Sequence, residues 1–239
     1  MATSRKQALS WVLKELASHF ERQGWRLSER PTSLLKMTQE PSPDVQHTLL
    51  MHEPFRPSDL PSPDVIGLAC AVNVYFPELE ALIDGALRRE TPIKLSMRLA
   101  LSQLVPAEHV FAGNVHLIRV GDDVQQAVHA LESDFATYLE PERRRLCMSS
   151  VFEDDEYQPP KIDSWAWRLR RAAYYLRHMD AVSRQALFVE LNQQAGTVLG
   201  VPAANDPAGP AVFFDMAAVQ RSIALRGAQE LRQFLVAVL

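Results

Sequence analysis

Residues 65–87 constrain the fold more than any other stretch of this chain. The first twelve read Val-Ile-Gly-Leu-Ala-Cys-Ala-Val-Asn-Val-Tyr-Phe, and Pro77 and Glu78 follow. Alternate side chains of a strand point to opposite faces. Ile66, Leu68, Cys70, Val72, Val74 and Phe76 therefore share one face, and Val65, Gly67, Ala69, Ala71, Asn73 and Tyr75 the other. One face is bulky and the other mostly small. A small face admits a helix close to the backbone, which predicts a central strand rather than an edge. Pro77 suits the first position of a helix, where its fixed φ is already correct and its missing N–H costs nothing. Leu79, Leu82, Ile83, Ala86 and Leu87 give that helix its apolar stripe. Asn73 stands out on the small face, because a buried polar side chain needs a hydrogen-bond partner.

The elements on either side follow from their periodicity. Leu9, Val12, Leu13, Leu16 and Phe20 recur at helical spacing and predict a helix over about 5–23, with Gly24 as its C-terminal cap. Two strands are expected within 25–39, best at 34–38, and at 46–52, joined by the turn-rich 40–44. The Pro-rich 54–63 reads as a loop into the central strand. Ile93, Leu95, Met97, Leu99 and Leu101 alternate with Lys94, Ser96, Arg98, Ala100 and Ser102, which predicts a half-buried strand with one wet or lightly covered face. A further strand is expected over 110–120, with Val115 and Leu117 on the face opposite His116. A helix is expected after Gly121 and Asp122, with Val124, Val128, Leu131, Phe135, Tyr138 and Leu139 as its stripe and Pro141 beyond its end.

Composition shifts at Glu153-Asp154-Asp155-Glu156, followed by Pro159 and Pro160. Beyond it the pattern is helical: 165–179, then about 180–199 with Asp180 as cap, then a helix after Asp215. Gly227 falls on the apolar stripe of that last helix. A mid-helix Gly costs about 1 kcal/mol against Ala, so it either weakens the helix there or marks a close contact. The expected architecture is α+β: an antiparallel or mixed sheet of about five strands with helices on one face, followed by a C-terminal helical segment. The expected organisation is an α+β domain over 1–152, an acidic and Pro-rich linker over 153–162, and a helical region over 163–239 packed on the first domain or on a partner.

Composition excludes more than it assigns. With 25 basic and 29 acidic residues the net charge is −4, which gives no general attraction to nucleic acid or to an anionic membrane. The two cysteines suggest no disulfide framework, and no apolar run is long enough to span a bilayer, so a cytoplasmic protein is expected. No Gly-rich phosphate loop, nucleophile elbow, His-Glu-x-x-His or Cys-x-x-Cys occurs, so neither a cofactor nor a metal is expected. His47 and His52 flank one strand and His109 and His116 bracket another, each pair at an odd separation that argues against joint ligation. Arg143-Arg144-Arg145 reads as a solvated basic run. In the first C-terminal helix Arg168, Arg170, Arg171 and Arg177 interleave with Trp165, Trp167, Tyr174 and Tyr175, a composition usual at protein contact surfaces.

Asn73-Val74-Tyr75-Phe76-Pro77-Glu78-Leu79, with the later Arg98-Leu99 and Gln103-Leu104-Val105-Pro106, resembles a bacterial family catalogued as domain of unknown function 4304. The element order is similar over about 9–139. The chain departs from the family's pattern at His109, Val110 and Phe111, where an aromatic pair is usual. The resemblance implies no activity. By analogy alone, small bacterial proteins of this look serve as immunity proteins beside toxin genes.

The expected function is therefore a non-enzymatic module that binds a protein partner, as an immunity protein or adaptor. Glu153, Asp154, Asp155, Glu156, Trp167 and Arg171 are its candidate contact residues, and the C-terminal helices a candidate self-association surface. The alternative is an enzyme with a dispersed site on the polar face of the sheet, where Lys94, Ser96 and Arg98 would meet His116.

Overall fold

The computed structural model describes residues 4–28, 33–54, 60–62, 64–91, 95–111, 115–119, 124–147, 149–154, 157, 164–200 and 216–238. Among these the chain is α+β, with an antiparallel sheet of six strands. It forms two compact units. The first comprises Met1–Phe76, Leu95–Val151 and Gln158–Pro160, and the second Pro77–Lys94, Phe152–Tyr157 and Lys161–Leu239. No described helix is long and apolar enough to cross a membrane.

The first unit opens with α1 (Arg5–Arg22), started by a capping box between Ser4 and Gln7. It ends at Gly24, whose φ of +87° is a left-handed conformation open to glycine. Then come β1 (Arg26–Leu27), β2 (Leu34–Ser42), β3 (Val45–His52) and β4 (Val65–Tyr75). The hairpin between β2 and β3 is tighter than expected. β2 continues through Pro41 to Ser42, with an irregularity between Gln39 and Ser42 that takes up the proline.

β4 is the central strand. It pairs with β3 over Ala69–Tyr75, with β5 (Met97–Ala100) through Ala71–Val74, and with β6 (His116–Arg119) through Val65–Leu68. Beyond the end of β3, side chains replace the missing strand. Arg5 Nε donates to the Val65 carbonyl at 2.9 Å, and Glu53 accepts from the Gly67 N–H at 3.2 Å while pairing with Arg5.

The core lies on the bulky face. Leu35, Met37, Leu49, Met51, Ile66, Leu68, Val72 and Val74 are fully buried there. α1 and the helix that begins as α3 (Val124–Asp134) cover that face, meeting where Phe20 and Phe135 pack edge to face at 4.7 Å. This helix does not stop before Pro141. It passes through a π-turn (Phe135–Leu139) into α4 (Glu140–Arg145). Pro141 has no N–H and its ring would strike the carbonyl four residues back. The wider turn, with the Glu140 N–H bonded to the Phe135 carbonyl, absorbs both problems.

Two strand readings change. Only Met97–Ala100 of the alternating 93–101 segment is strand, and Leu101–Gln103 turns as a 3-10 helix; residues 92–94 lie outside the described residues. Ser96 is buried rather than wet, because its Oγ accepts from the Phe76 N–H at 3.0 Å. In β6 the parity is reversed. His116 and Ile118 point inward and Leu117 is 40% exposed.

The second unit gathers α2 (Pro77–Leu87), α5 (Ser164–His178), α6 (Ala181–Leu199) and α7 (Met216–Val238). The sequence reading placed α2 with the sheet. Its buried stripe, Leu79, Glu80 and Ile83, is instead spent on α5 and α7. Glu80 is wholly buried and accepts from Arg170 Nε of α5 at 2.6 Å, while Arg89 bridges Asp84 to Glu230 of α7. Asp180 caps α6 as expected, accepting from the Val182 and Ser183 N–H groups. Gly227 marks the close contact that its position on the stripe implied: a Cβ there would lie 2.5 Å from the Trp165 Cβ. The expected cap Asp215 lies outside the described residues.

Candidate functional site

Of the contact residues read from the sequence, Glu153 and Asp154 are exposed, Arg171 is half-buried and Trp167 is buried. Trp167 is 7% exposed, stacked on Phe152 at 4.5 Å and met edge-on by Tyr157. Arg171 donates to the Phe152 carbonyl and lies over the Tyr175 ring. Trp167 and Arg171 are thus committed within the second unit, because α5 needs an inner face and its aromatics supply it. Glu153 accepts from the Tyr174 hydroxyl, and Asp154 from the Tyr157 N–H. The Tyr174 hydroxyl is pushed up to about 12, first by burial and then by the Glu153 bond. The exposed Glu153 is the end of a 3-10 turn (Ser149–Glu153) anchored by the buried Phe152 and followed, after Asp154, by the buried Tyr157. Asp155 and Glu156 lie outside the described residues. Of the C-terminal stripes, Leu187, Leu191, Leu231, Phe234 and Leu235 are buried and Ile223 is 49% exposed.

The polar-face site does not form. Arg98 opposes Asn73 and His116 opposes Leu68. Asn73 and Leu68 differ in parity along β4, so Arg98 and His116 lie on opposite faces of the sheet. Lys94 lies outside the described residues.

His116 instead joins a cluster on the core side. Asp134, at the end of α3, is 3.0 Å from His109 Nδ1 and 3.6 Å from His116 Nδ1. Burial lowers the His116 pKa; the Asp134 charge works against it, and His109 adds to the lowering. Asp134 thereby fastens α3 to β6 and to the 3-10 turn at Ala107–His109. Two residues earlier, Glu132 takes His19 of α1 at 3.0 Å. Among the described residues no group of His, Cys, Asp and Glu could hold a metal ion.

Arg143 is a second buried hub rather than part of a solvated run. It donates twice to Glu140 at 2.6 Å, to Gln39 Oε1 at 2.8 Å, lies 3.0 Å from His47 Nδ1, and covers the Trp25 ring. Burial would raise the Glu140 carboxyl, but the Arg143 and Arg144 pairs outweigh it and hold it below its usual range. Burial, and then the Arg143 charge, lowers His47 to about 4. The nearby Cys147 thiol is pushed up, chiefly by burial, so it is no activated nucleophile. These contacts lock α4 to the β2–β3 hairpin.

The remaining feature is the other face of the sheet. Cross-strand register places its residues in rows. One row runs Lys36, Leu50, Ala71, Ala100, and the next Arg26, Thr38, Thr48, Asn73, Arg98. Leu34, His52 and Ala69 form a third. Leu34 and Leu117 are 37% and 40% exposed, Arg26 and Arg98 are exposed, Leu50, Ala69 and Ala100 are half-buried, and Ala71 is buried. At the same strands the residues of opposite parity are 0–2% exposed: Leu35, Leu49, Met97, Leu99 and Ile118. Among the described residues the contrast marks a face more exposed than the core face along β2, β3, β5 and β6, while on β4 Val65, Gly67 and Ala71 are buried, Gly67 beneath Leu60 and Val115. Arg26, Lys36 and Arg98 form no ion pair among the described residues, and Asn73 Oδ1 is enclosed without a hydrogen-bond partner there. The sequence reading saw the small residues of β4 and assigned them a covering helix. What identifies the face as open is the polar parity of β2, β3 and β5 taken together.

Comparison with protein-family models, with curated proteins and with solved structures gave no match.

Proposed function

We propose that the chain is a non-enzymatic binding module and that it engages a protein partner through the open face of its sheet. The observation behind this reading is the contrast in exposure between the two parities of β2, β3, β5 and β6. A row of apolar residues, half-buried at Leu50, Ala69 and Ala100 and bordered by cations, is the composition of a contact surface rather than of a solvated one. His19, His47, His109 and His116 are tied into contacts that hold helices to one another and to the sheet. An immunity or adaptor role, the analogy raised by the family resemblance, fits such a module.

Site-specific photo-crosslinking in the source cells tests the proposal. A crosslinking amino acid at Leu50 or Leu117 of the open face should give discrete protein adducts. The same group at Val182, exposed at 80% on α6, should not. Adducts at Val182 with none at Leu50 and Leu117 would overturn it.

A further inference from the structure

We infer that the occupant of the open face is an amphipathic helix whose apolar stripe is flanked by acidic residues on both sides. This rests on the proposal that the face is a binding surface, and it specifies the partner.

The floor comes first. Ala69, Ala71 and Ala100 carry side chains no longer than Cβ, and Ala71 and Ala100 are direct cross-strand neighbours. Leu50 adjoins Ala71 on the other side, and Leu34 closes the β2 end. A floor of Cβ atoms between leucines is a shallow trough. It favours a rounded apolar surface that brings its own side chains, as one stripe of a helix does. An added strand would be held by main-chain bonds at a sheet edge, not by a face.

Charge then selects among such helices. The cations sit around the trough rather than in it: Lys36 at the β2 end of the alanine row, and Arg26 and Arg98 at the two ends of the adjacent row. With strands about 4.8 Å apart, Arg26 and Arg98 stand about 19 Å from each other, wider than the roughly 10 Å thickness of a helix. Long arginine side chains reach inward across that difference, so each border can meet acids on one flank.

A nucleic acid fits less well. Single strands are held by stacking on aromatic side chains, and Tyr75 is the one aromatic among the described residues of the paired open-face rows, beside a single histidine, His52. The chain's net charge of −4 also opposes a polyanion.

The test uses two synthetic peptides with one leucine–alanine stripe, flanked by glutamate in one and lysine in the other. Each is titrated into the isotope-labelled full chain while amide shifts are followed. The glutamate peptide should shift Leu50, Ala71, Asn73 and Arg98, and Lys36→Glu with Arg98→Glu should weaken it about tenfold, as charge reversal at a contact does. Both substitutions are on exposed or half-exposed side chains, so the unchanged spectrum of the remaining residues confirms the fold. The lysine peptide should bind at least tenfold more weakly to the wild-type chain. Equal binding of the two peptides, shifts confined to other surfaces, or no binding of either would overturn the inference. Crosslinks at Leu50 with no response to either peptide would leave the open face as the contact surface and remove the acidic helix alone.

Discussion

Gly227→Ala is the substitution whose effect follows most directly from the packing. A Cβ at this position would sit 2.5 Å from the Trp165 Cβ and 3.1 Å from its Cγ. Carbon atoms pack at about 3.5–4.0 Å, so α5 and α7 would have to separate by roughly 1 Å. Overpacking of a close-packed contact costs about 1–3 kcal/mol. The clash is between two Cβ atoms, which no rotamer relieves, so the upper part of that range applies. Alanine returns about 1 kcal/mol of helix propensity, leaving a net loss of about 1–2 kcal/mol. Gly85→Ala in α2 and Gly196→Ala in α6 are the controls. Nothing lies within 4 Å of a Cβ at either position, so each should gain up to about 1 kcal/mol. Urea titration followed by circular dichroism should lower the midpoint for Gly227→Ala and raise it for the other two. If Gly227→Ala raised the midpoint as the controls do, the close approach of α5 and α7 would be wrong.

Three further outcomes are expected. His47 titrates near 4 in the fold against 6.5 in the unfolded chain, so between those values only the unfolded chain binds the proton. Its contribution, about 3 kcal/mol at most, is complete above pH 6.5 and lost as pH falls toward 4; urea midpoints against pH should be flatter for His47→Leu than for wild type. Arg88 holds a left-handed φ of 52° just beyond α2, so Arg88→Gly should raise the thermal midpoint by relieving about 1 kcal/mol. Glu80→Ala should destabilise by about 3–5 kcal/mol by leaving Arg170 a buried charge without its carboxylate, whereas Glu80→Leu with Arg170→Met should return most of it, as denaturant titration of both variants would show.

Much of the fold was legible because local chemistry decided it. β4 announces itself by alternation, Pro77 starts α2, Asp180 caps α6, and of the two readings open for Gly227, a weakened helix or a close contact, the contact with Trp165 is the one found. What was not legible depended on partners distant in sequence. Periodicity showed that α2 has a stripe, but the stripe could not say that α5 and α7 would cover it. In β6 both Leu117 and His116 were plausible inward residues, and Asp134, 18 residues on, gave the inner position to His116. Arg143 looked like its neighbours Arg144 and Arg145, yet Gln39 and His47 take it inward while the others stay in solvent. The open face was half visible: Ala69 and Ala71 were recognised as a small surface, and Arg98 as facing a wet or lightly covered side. Their place on one bare face required the cross-strand register.

That bareness is the claim on which the functional reading stands, and a soluble paramagnetic co-solute measures it directly. Relaxation enhancements of side-chain and amide protons in the free protein should alternate along the strands. Leu34, Leu50, Ala100 and Leu117 should relax strongly, and Leu35, Leu49, Leu99 and Ile118 should remain protected. Equal protection of both sets would mean that the second face is covered, and would contradict the account.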